Sequence, residues 1–597
     1  MTERKAMSDY DMAESSQLDE LKDNFEKIDA LTKRLIVIMA RQKAEQPEQS
    51  NASTELFFKA ASSYFAQMMN NPAKLIESQV RYYKASIEAW SDFQASMMGA
   101  SQDAKPKDRR FRDGAWQTNP YFSMIKQQYL LSSEVIKDSV AEIEGLSEGE
   151  ARQIQFFSQQ LINFLSPQNF LGTNPEALKH AIETQGKSLV EGLENLVSDL
   201  EKGDGQLSVS LTDTNAFKVG ENLATSSGRV VFRNRLFELI HYQPKTETVF
   251  ERPLLIVPPC INKFYILDLT PQNSFIQFAL AAGQTVFLMS WINPDGTMAD
   301  VGFDDYITEG VQTALEQVTS MTGQPQANVI GYCIGGTLVA VAADYLRKTG
   351  HYLINSATFF TTLTDFHDPG ELAVYTGPDY SKKIHDRIAK SGVLDGAFLA
   401  QTFSFLRSGD LVYGPAVRSY LMGQKPPVMD LLYWNSDSTN LPGRMAREYL
   451  DNFYQNNRFA SGALRLLDTD LALADVDIPI CAVATEMDHI APWRSSFAGI
   501  SQTKGSKTYI LGGSGHVAGI INPPKSGKYY FRIADNLTKY AADTFLDLPV
   551  TAGSWWPAWE AWAAGMSGNK IISNNVLNNF EWPDLGPAPG EYVQRHS

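Results

Sequence analysis

The sequence predicts an α/β domain with a cap or lid insertion, preceded by a mainly α-helical N-terminal domain. Three observations carry that prediction. Before about residue 215, apolar residues recur at three- and four-residue steps, the period of a helix with one buried face. After it, short apolar runs alternate with helical patterns, as in βα units around a mostly parallel sheet. One of those runs, Asn328-Val329-Ile330, leads directly into a glycine-rich turn and then a helical pattern. At 597 residues the chain exceeds one ordinary core. The expected division is a helical segment over 1–105, the rest of the helical domain over 106–215, and a catalytic domain over 216–597.

In chain order, Leu18, Leu21, Phe25, Ile28, Leu31 and Leu35 form one apolar stripe. A second helical stretch over 55–98 carries Phe57, Phe58, Tyr64, Phe65, Met68, Met69, Tyr82, Tyr83 and Trp90. Two readings of this face stand: ordinary helix packing, for which Met is a ready filler, or an adhesive apolar surface. A charged stretch over 102–112 reads as a hinge or exposed loop. Helical patterns resume over 121–200, with breaks at Ser166-Pro167 and Asn174-Pro175. Expected strands then follow at 254–257, 284–291, 328–330, 355–362, 478–484 and 508–511. The long interval 366–465, rich in Tyr, Trp, Pro and Asn, is the expected lid.

Composition narrows the function classes. A net charge of -16 makes nucleic acid a poor partner. No segment approaches the roughly 20 apolar residues of a membrane span. The beginning, Met1-Thr2-Glu3-Arg4-Lys5, lacks a signal peptide's layout. Three cysteines without metal-like spacing fit a reducing cytoplasm, and no metal or cofactor is expected.

The strongest local signal is Gly331-Tyr332-Cys333-Ile334-Gly335-Gly336. Three cysteines and 41 glycines in the chain give about 0.014 chance occurrences of a cysteine with glycine two positions to either side. A strand, this turn and a helix are the context in which α/β-hydrolases present a nucleophile, here with Cys in place of Ser. The helix N-terminus favours thiolate. That fold places an acid and then a histidine downstream, each on a loop after a strand. Asp488 and His516 meet the requirement, with Glu486 as the competing acid and His489 as the competing base. The expected oxyanion donors are the backbone N–H groups of Ile334 and, from the loop Pro258-Pro259-Cys260-Ile261-Asn262, of Ile261. Cys260 and Cys481 read as packing residues. A Ser nucleophile turns a thioester into an oxyester and dissipates its activation. A Cys nucleophile exchanges thioester for thioester, which suits acyl transfer from coenzyme A to an alcohol.

The chain resembles the polyhydroxyalkanoate synthases, specifically the long class I type that works without a second subunit. The resemblance covers residues 105–593. Besides the cysteine motif it rests on Pro258-Pro259-Cys260-Ile261-Asn262-Lys263, on Tyr265-Ile266-Leu267-Asp268-Leu269, and on Ser290-Trp291 with Asn293-Pro294. It extends through residues 431–437 (LLYWNSD), Asp488-His489-Ile490-Ala491-Pro492-Trp493, Ser514-Gly515-His516 and 518–524, to Gly553-Ser554-Trp555-Trp556-Pro557 and 587–593.

The resemblance implies that Cys333 carries the acyl chain, His516 activates it, and Asp488 orients His516 and supports deprotonation of the incoming 3-hydroxyl. It implies (R)-3-hydroxyacyl-coenzyme A substrates of about three to six carbons, a homodimer, and a cytoplasmic location on growing polyester granules with their associated proteins. Two alternatives stay open on the residues alone. One is a Cys-dependent acyl-coenzyme A thioesterase of the same fold. The other is a granule-surface scaffold with a degenerate catalytic domain.

Overall fold

Asn-Pro and Ser-x-x-Glu signals open the helices of the N-terminal region, each satisfying amides that a helix start leaves without partners. A computed structural model of the chain describes residues 26–38 (except 28 and 36), 108–575 (except 144, 204 and 206) and 583–596. Helix α1 (Pro120–Ala141) is capped by the Asn119 side chain with proline at its first position. Helix α2 (Glu148–Phe164) begins with a Ser147/Glu150 capping box. Helices α3 (Pro175–Glu183) and α4 (Lys187–Lys202) follow, α3 capped by Asn174. The expected breaks at Ser166-Pro167 and Asn174-Pro175 thus fall between helices. A small core of Phe111, Trp116, Phe122, Tyr129 and Ile162 packs beneath them. Of the early apolar stripe, Leu31 is buried within a helical stretch. The remainder of that stripe before residue 26, and the Met- and aromatic-rich face over 55–98, lie outside the described residues.

Contacts divide the chain into two units, Met1–Asp213 with Arg407–Val428, and Thr214–Leu406 with Met429–Ser597. The interval 366–465 is therefore shared. Its middle packs with the first unit, where the Tyr420 hydroxyl donates to Asp199 at 2.7 Å. Its two flanks belong to the second.

The second unit is built on a ten-stranded sheet. In chain order its strands are β1 (Gly228–Arg233), β2 (Phe237–Tyr242), β3 (Leu254–Val257), β4 (Val286–Trp291) and β5 (Ala327–Tyr332). They continue with β6 (Ile354–Phe360), β7 (Ile480–Thr485), β8 (Lys507–Gly512), β9 (Tyr530–Ala534) and β10 (Thr551–Ala552). The spatial order is β1-β2-β4-β3-β5-β6-β7-β8-β9-β10. The six strands from β4 to β8 pair in parallel and match the six expected from apolar runs. Both faces of a parallel sheet are covered, so such strands are apolar throughout.

The outer strands β1, β2, β9 and β10 pair antiparallel and carry polar residues that interrupt the apolar pattern. On buried β2, Glu238 pairs with Arg233 at 2.5 Å and accepts the amides of Glu591 and Tyr592, both at 3.0 Å. That partnership lets a carboxylate occupy a buried strand.

Helix α5 (Ile334–Lys348) springs from β5. Helix α6 (Trp556–Met566) covers the sheet near the C-terminus. Trp559 is fully buried, meets the Phe275 ring at 4.9 Å, and donates from Nε1 to Thr358 Oγ1 at 3.1 Å. Trp559→Ala should destabilise the protein by about 3–5 kcal/mol through the cavity it leaves, read as a lower denaturation midpoint. Exposed Ile182→Ala should shift it by less than about 0.5 kcal/mol.

Candidate active site

The turn between β5 and α5 brings Cys333 into a conformation that L-residues rarely adopt, φ 53° and ψ -123°. Its amide donates to the Phe360 carbonyl of β6 at 2.9 Å, tying the bend to the neighbouring strand. A Cβ at Gly335 would stand 2.6 Å from the Pro258 carbonyl oxygen, and one at Gly336 would run into the Thr362 side chain. Only glycine lets the first turn of α5 pack this closely on the loop after β3 and on Thr362. Cys333 is partly exposed, whereas Cys260 and Cys481 are buried. Burial pushes both of those thiols well above the ordinary range, Cys260 also feeling the neighbouring Cys333 charge. They stay protonated and pack.

Asp488 and His516 lie on loops after β7 and β8. The His516 Nδ1 stands 2.7 Å from Asp488 Oδ2, and the carboxylate is fully enclosed. Its other oxygen accepts the amides of Ile490 and Ala491 at 2.9 and 2.8 Å, which keeps a buried charge hydrogen-bonded. Glu486, the competing acid, instead accepts the Tyr530 hydroxyl and Arg532 at 2.9 and 3.3 Å. His489 sits on the same turn, but the Asp488 carboxylate reaches across to His516.

The histidine loop is fastened from below. Indole N–H groups of Trp555 and Trp556 donate to the carbonyls of Gly519 and Ile520 at 2.8 and 2.9 Å. Burial by itself would lower the imidazole pKa. The Asp488 and Cys333 charges, with the hydrogen bond to Asp488, raise it instead to about 10. The three side chains expected from the sequence are thus brought together, with the imidazole between carboxylate and thiol.

The two expected oxyanion amides also meet a structural condition. Ile334 opens α5, so its N–H has no acceptor within the helix. In the loop after β3, the Asn262 amide is taken by Thr439 Oγ1 at 2.8 Å. The Ile261 amide pairs with no acceptor among the described residues.

An aromatic wall beside the thiol escaped sequence reasoning. Phe453 lies 4.9 Å from Phe303 and 5.5 Å from Phe366 between ring centroids, and Tyr454 lies 5.0 Å from Phe366. Tyr449 joins the group, 5.4 Å from both Phe453 and Tyr454. Burial and then neighbouring charges, Cys333 among them, push the Tyr449 and Tyr454 phenols up. The cluster Tyr449, Phe453 and Tyr454 was the only signal, and its contact with distant Phe303 and Phe366 is tertiary. Among the described residues no group of three or more His, Cys, Asp or Glu side chains could hold a metal ion.

Residues 107–279 match the family described as "Poly-beta-hydroxybutyrate polymerase (PhaC) N-terminus", and residues 253–523 match the "alpha/beta hydrolase fold" family. The chain is 40% identical over 531 residues to the poly(3-hydroxyalkanoate) polymerase of Methylorubrum extorquens, covering 88% of each. It is 39% identical over 531 residues to the poly(3-hydroxyalkanoate) polymerase subunit PhaC of Cupriavidus necator, covering 88% of this chain and 89% of that one. The corresponding subunit of Rhizobium meliloti is 38% identical over 534 residues, with 88% and 86% covered. Among solved structures, the monoacylglycerol lipase of Paleococcus ferrophilus is similar at 12% identity and a TM-score of 0.31, covering 54% of this chain and 98% of that one.

Because the His516 pKa is raised, the imidazolium is populated below about pH 10 and lost only above it. With ¹⁵N-labelled histidine, the His516 signal should stay in its protonated form at pH 8. Cys333→Ser, which removes one charge that raises it, should bring the titration down, and Asp488→Asn should lower it further.

Proposed function

The chain belongs to the poly(3-hydroxyalkanoate) polymerase family, and on that footing we propose that it polymerises short (R)-3-hydroxyacyl groups from coenzyme A thioesters through Cys333. The observation that supports this most is the buried Asp488–His516 contact at 2.7 Å, beside a cysteine on a strained strand-to-helix turn.

In the resting site the Cys333 proton is held by His516, and in the acylation step the thiolate attacks the thioester carbonyl. The developing oxyanion is received by the amides of Ile334 and Ile261. The carbon–sulfur bond to coenzyme A then breaks, and its thiolate leaves with the proton from His516. In elongation the 3-hydroxyl of the next hydroxyacyl unit loses its proton to His516, which Asp488 holds in orientation. The alkoxide attacks the acyl-Cys333 carbonyl, the ester bond forms as the carbon–sulfur bond to Cys333 breaks, and the Cys333 thiolate is released beside the protonated His516.

Water competes with that hydroxyl. Positioning a bound alcohol provides an effective molarity of up to about 10⁵–10⁸ M, and the aromatic wall of Phe303, Phe366, Tyr449, Phe453 and Tyr454 is suited to keep the thioester dry. The same reading includes a homodimer at the surface of the polyester granule in the cytoplasm. Among the described residues no helix is long and apolar enough to cross a membrane.

Purified protein given (R)-3-hydroxybutyryl-coenzyme A should release free thiol and deposit insoluble polyester, and Cys333→Ala should abolish both. Thiol release with only monomeric 3-hydroxybutyrate would make the protein a thioesterase. Undiminished turnover by Cys333→Ala would remove the cysteine from the chemistry.

A further inference from the structure

The loop after β3 is held from outside by residues 434–440, a segment 170 or so positions away in the chain. The Thr439 hydroxyl does two things at once. It accepts the Asn262 amide at 2.8 Å and donates to the Cys260 carbonyl at 3.0 Å. These two groups flank Ile261. Cys260 C=O and Ile261 N–H belong to one planar trans peptide, in which the two point in opposite directions. Holding the carbonyl toward Thr439 therefore aims the Ile261 N–H away from Thr439. Asn262 adopts φ 65°, so the turn is one that its bonds must maintain.

Thr439 is itself anchored by a buried clasp. Lys263 Nζ lies 2.8 Å from Asp437 Oδ1, with both side chains almost fully enclosed. The Tyr265 hydroxyl donates to Asp437 Oδ2 at 2.8 Å, and Trp434 Nε1 donates to the Lys263 carbonyl at 2.6 Å. The exposed His596 ring approaches the same carboxylate, its Nδ1 3.4 Å from Asp437 Oδ1. An enclosed ion pair is weak evidence for stability, since desolvation offsets its attraction. It is strong geometry, because each charge restricts where the other's chain segment can go.

We propose that Thr439 and Asp437 are positioning residues that set the orientation of the Ile261 amide for the developing oxyanion. The proposal rests on the reading of Cys333 and Ile261 given above. Neither side chain reaches the reacting atoms by this account. Both act through the peptide between Cys260 and Ile261.

The test compares Thr439→Val, which keeps shape and removes the hydroxyl, with Thr439→Ser, which keeps the hydroxyl. Three quantities are measured: kcat and KM for (R)-3-hydroxybutyryl-coenzyme A, and the rate at which iodoacetamide alkylates Cys333. Alkylation forms no oxyanion, so it reports the thiol alone. Thr439→Val should lose about 10²-fold in kcat, the scale for a lost oxyanion donor. Its KM and its alkylation rate should stay within about threefold of wild type, and Thr439→Ser should recover most of the rate. If Thr439→Val does not fold, Asp437→Asn should show the same pattern. The proposal is overturned if kcat holds in the folded variant, if alkylation falls in parallel with kcat, or if Thr439→Ser is as slow as Thr439→Val. Failure of the underlying reading would look different, because wild-type protein alkylated at Cys333 would then still turn over.

Discussion

Cys333 is held at φ 53° by its amide's bond to the Phe360 carbonyl and by glycines that let α5 close onto the loop after β3. A backbone in this region costs about 1–3 kcal/mol and persists only where its surroundings over-determine it. Here a six-strand parallel core supplies the over-determination, and the thiol is lifted clear of the sheet as a result. The remaining parts of the site are arranged around that point. Strands β7 and β8 run parallel to β5 in the same sheet, so the loops after them carry Asp488 and His516 to the same edge. Indole hydrogen bonds from Trp555 and Trp556 keep the histidine loop at its height.

The electrostatics follow from enclosure. A carboxylate with no exposed surface is tolerable because two amides and an imidazole share its charge. It repays the imidazole by stabilising its protonated form, against a burial effect of opposite sign. In the proposed function, an imidazolium beside a thiolate is the state from which a thioester can be attacked without prior proton loss to solvent. In the same proposal, exchange of one thioester for another keeps the acyl group activated for the hydroxyl that follows.

The two ends of the interval 366–465 fold with the second unit. Tyr449, Phe453 and Tyr454 pack into one aromatic cluster with Phe303 and Phe366. Residues 434–440 brace the loop after β3 through Trp434, Asp437 and Thr439. The middle of the interval folds with the helical unit instead.

Much of this was legible in the sequence for local reasons. Parallel strands buried on both faces read as unbroken apolar runs, and helix starts at Asn119, Ser147 and Asn174 announce themselves by side chains that cap their own amides. Cys333, Asp488 and His516 could be named as candidates because turn chemistry and chain order place a nucleophile, an acid and a base at strand ends in that order. Strand β2 was missed because Glu238 and His241 interrupt the pattern, and what permits Glu238 there is Arg233 with amides some 350 residues away. The aromatic wall, the clasp at Asp437 and the division of the lid interval were equally invisible. Each depends on which distant segments meet, and no periodicity or spacing encodes that. The sequence by itself determined the secondary structure of the core and which cysteine, aspartate and histidine its strand-end loops carry. Only the tertiary structure decided how they are braced, because bracing is contact between segments far apart in the chain.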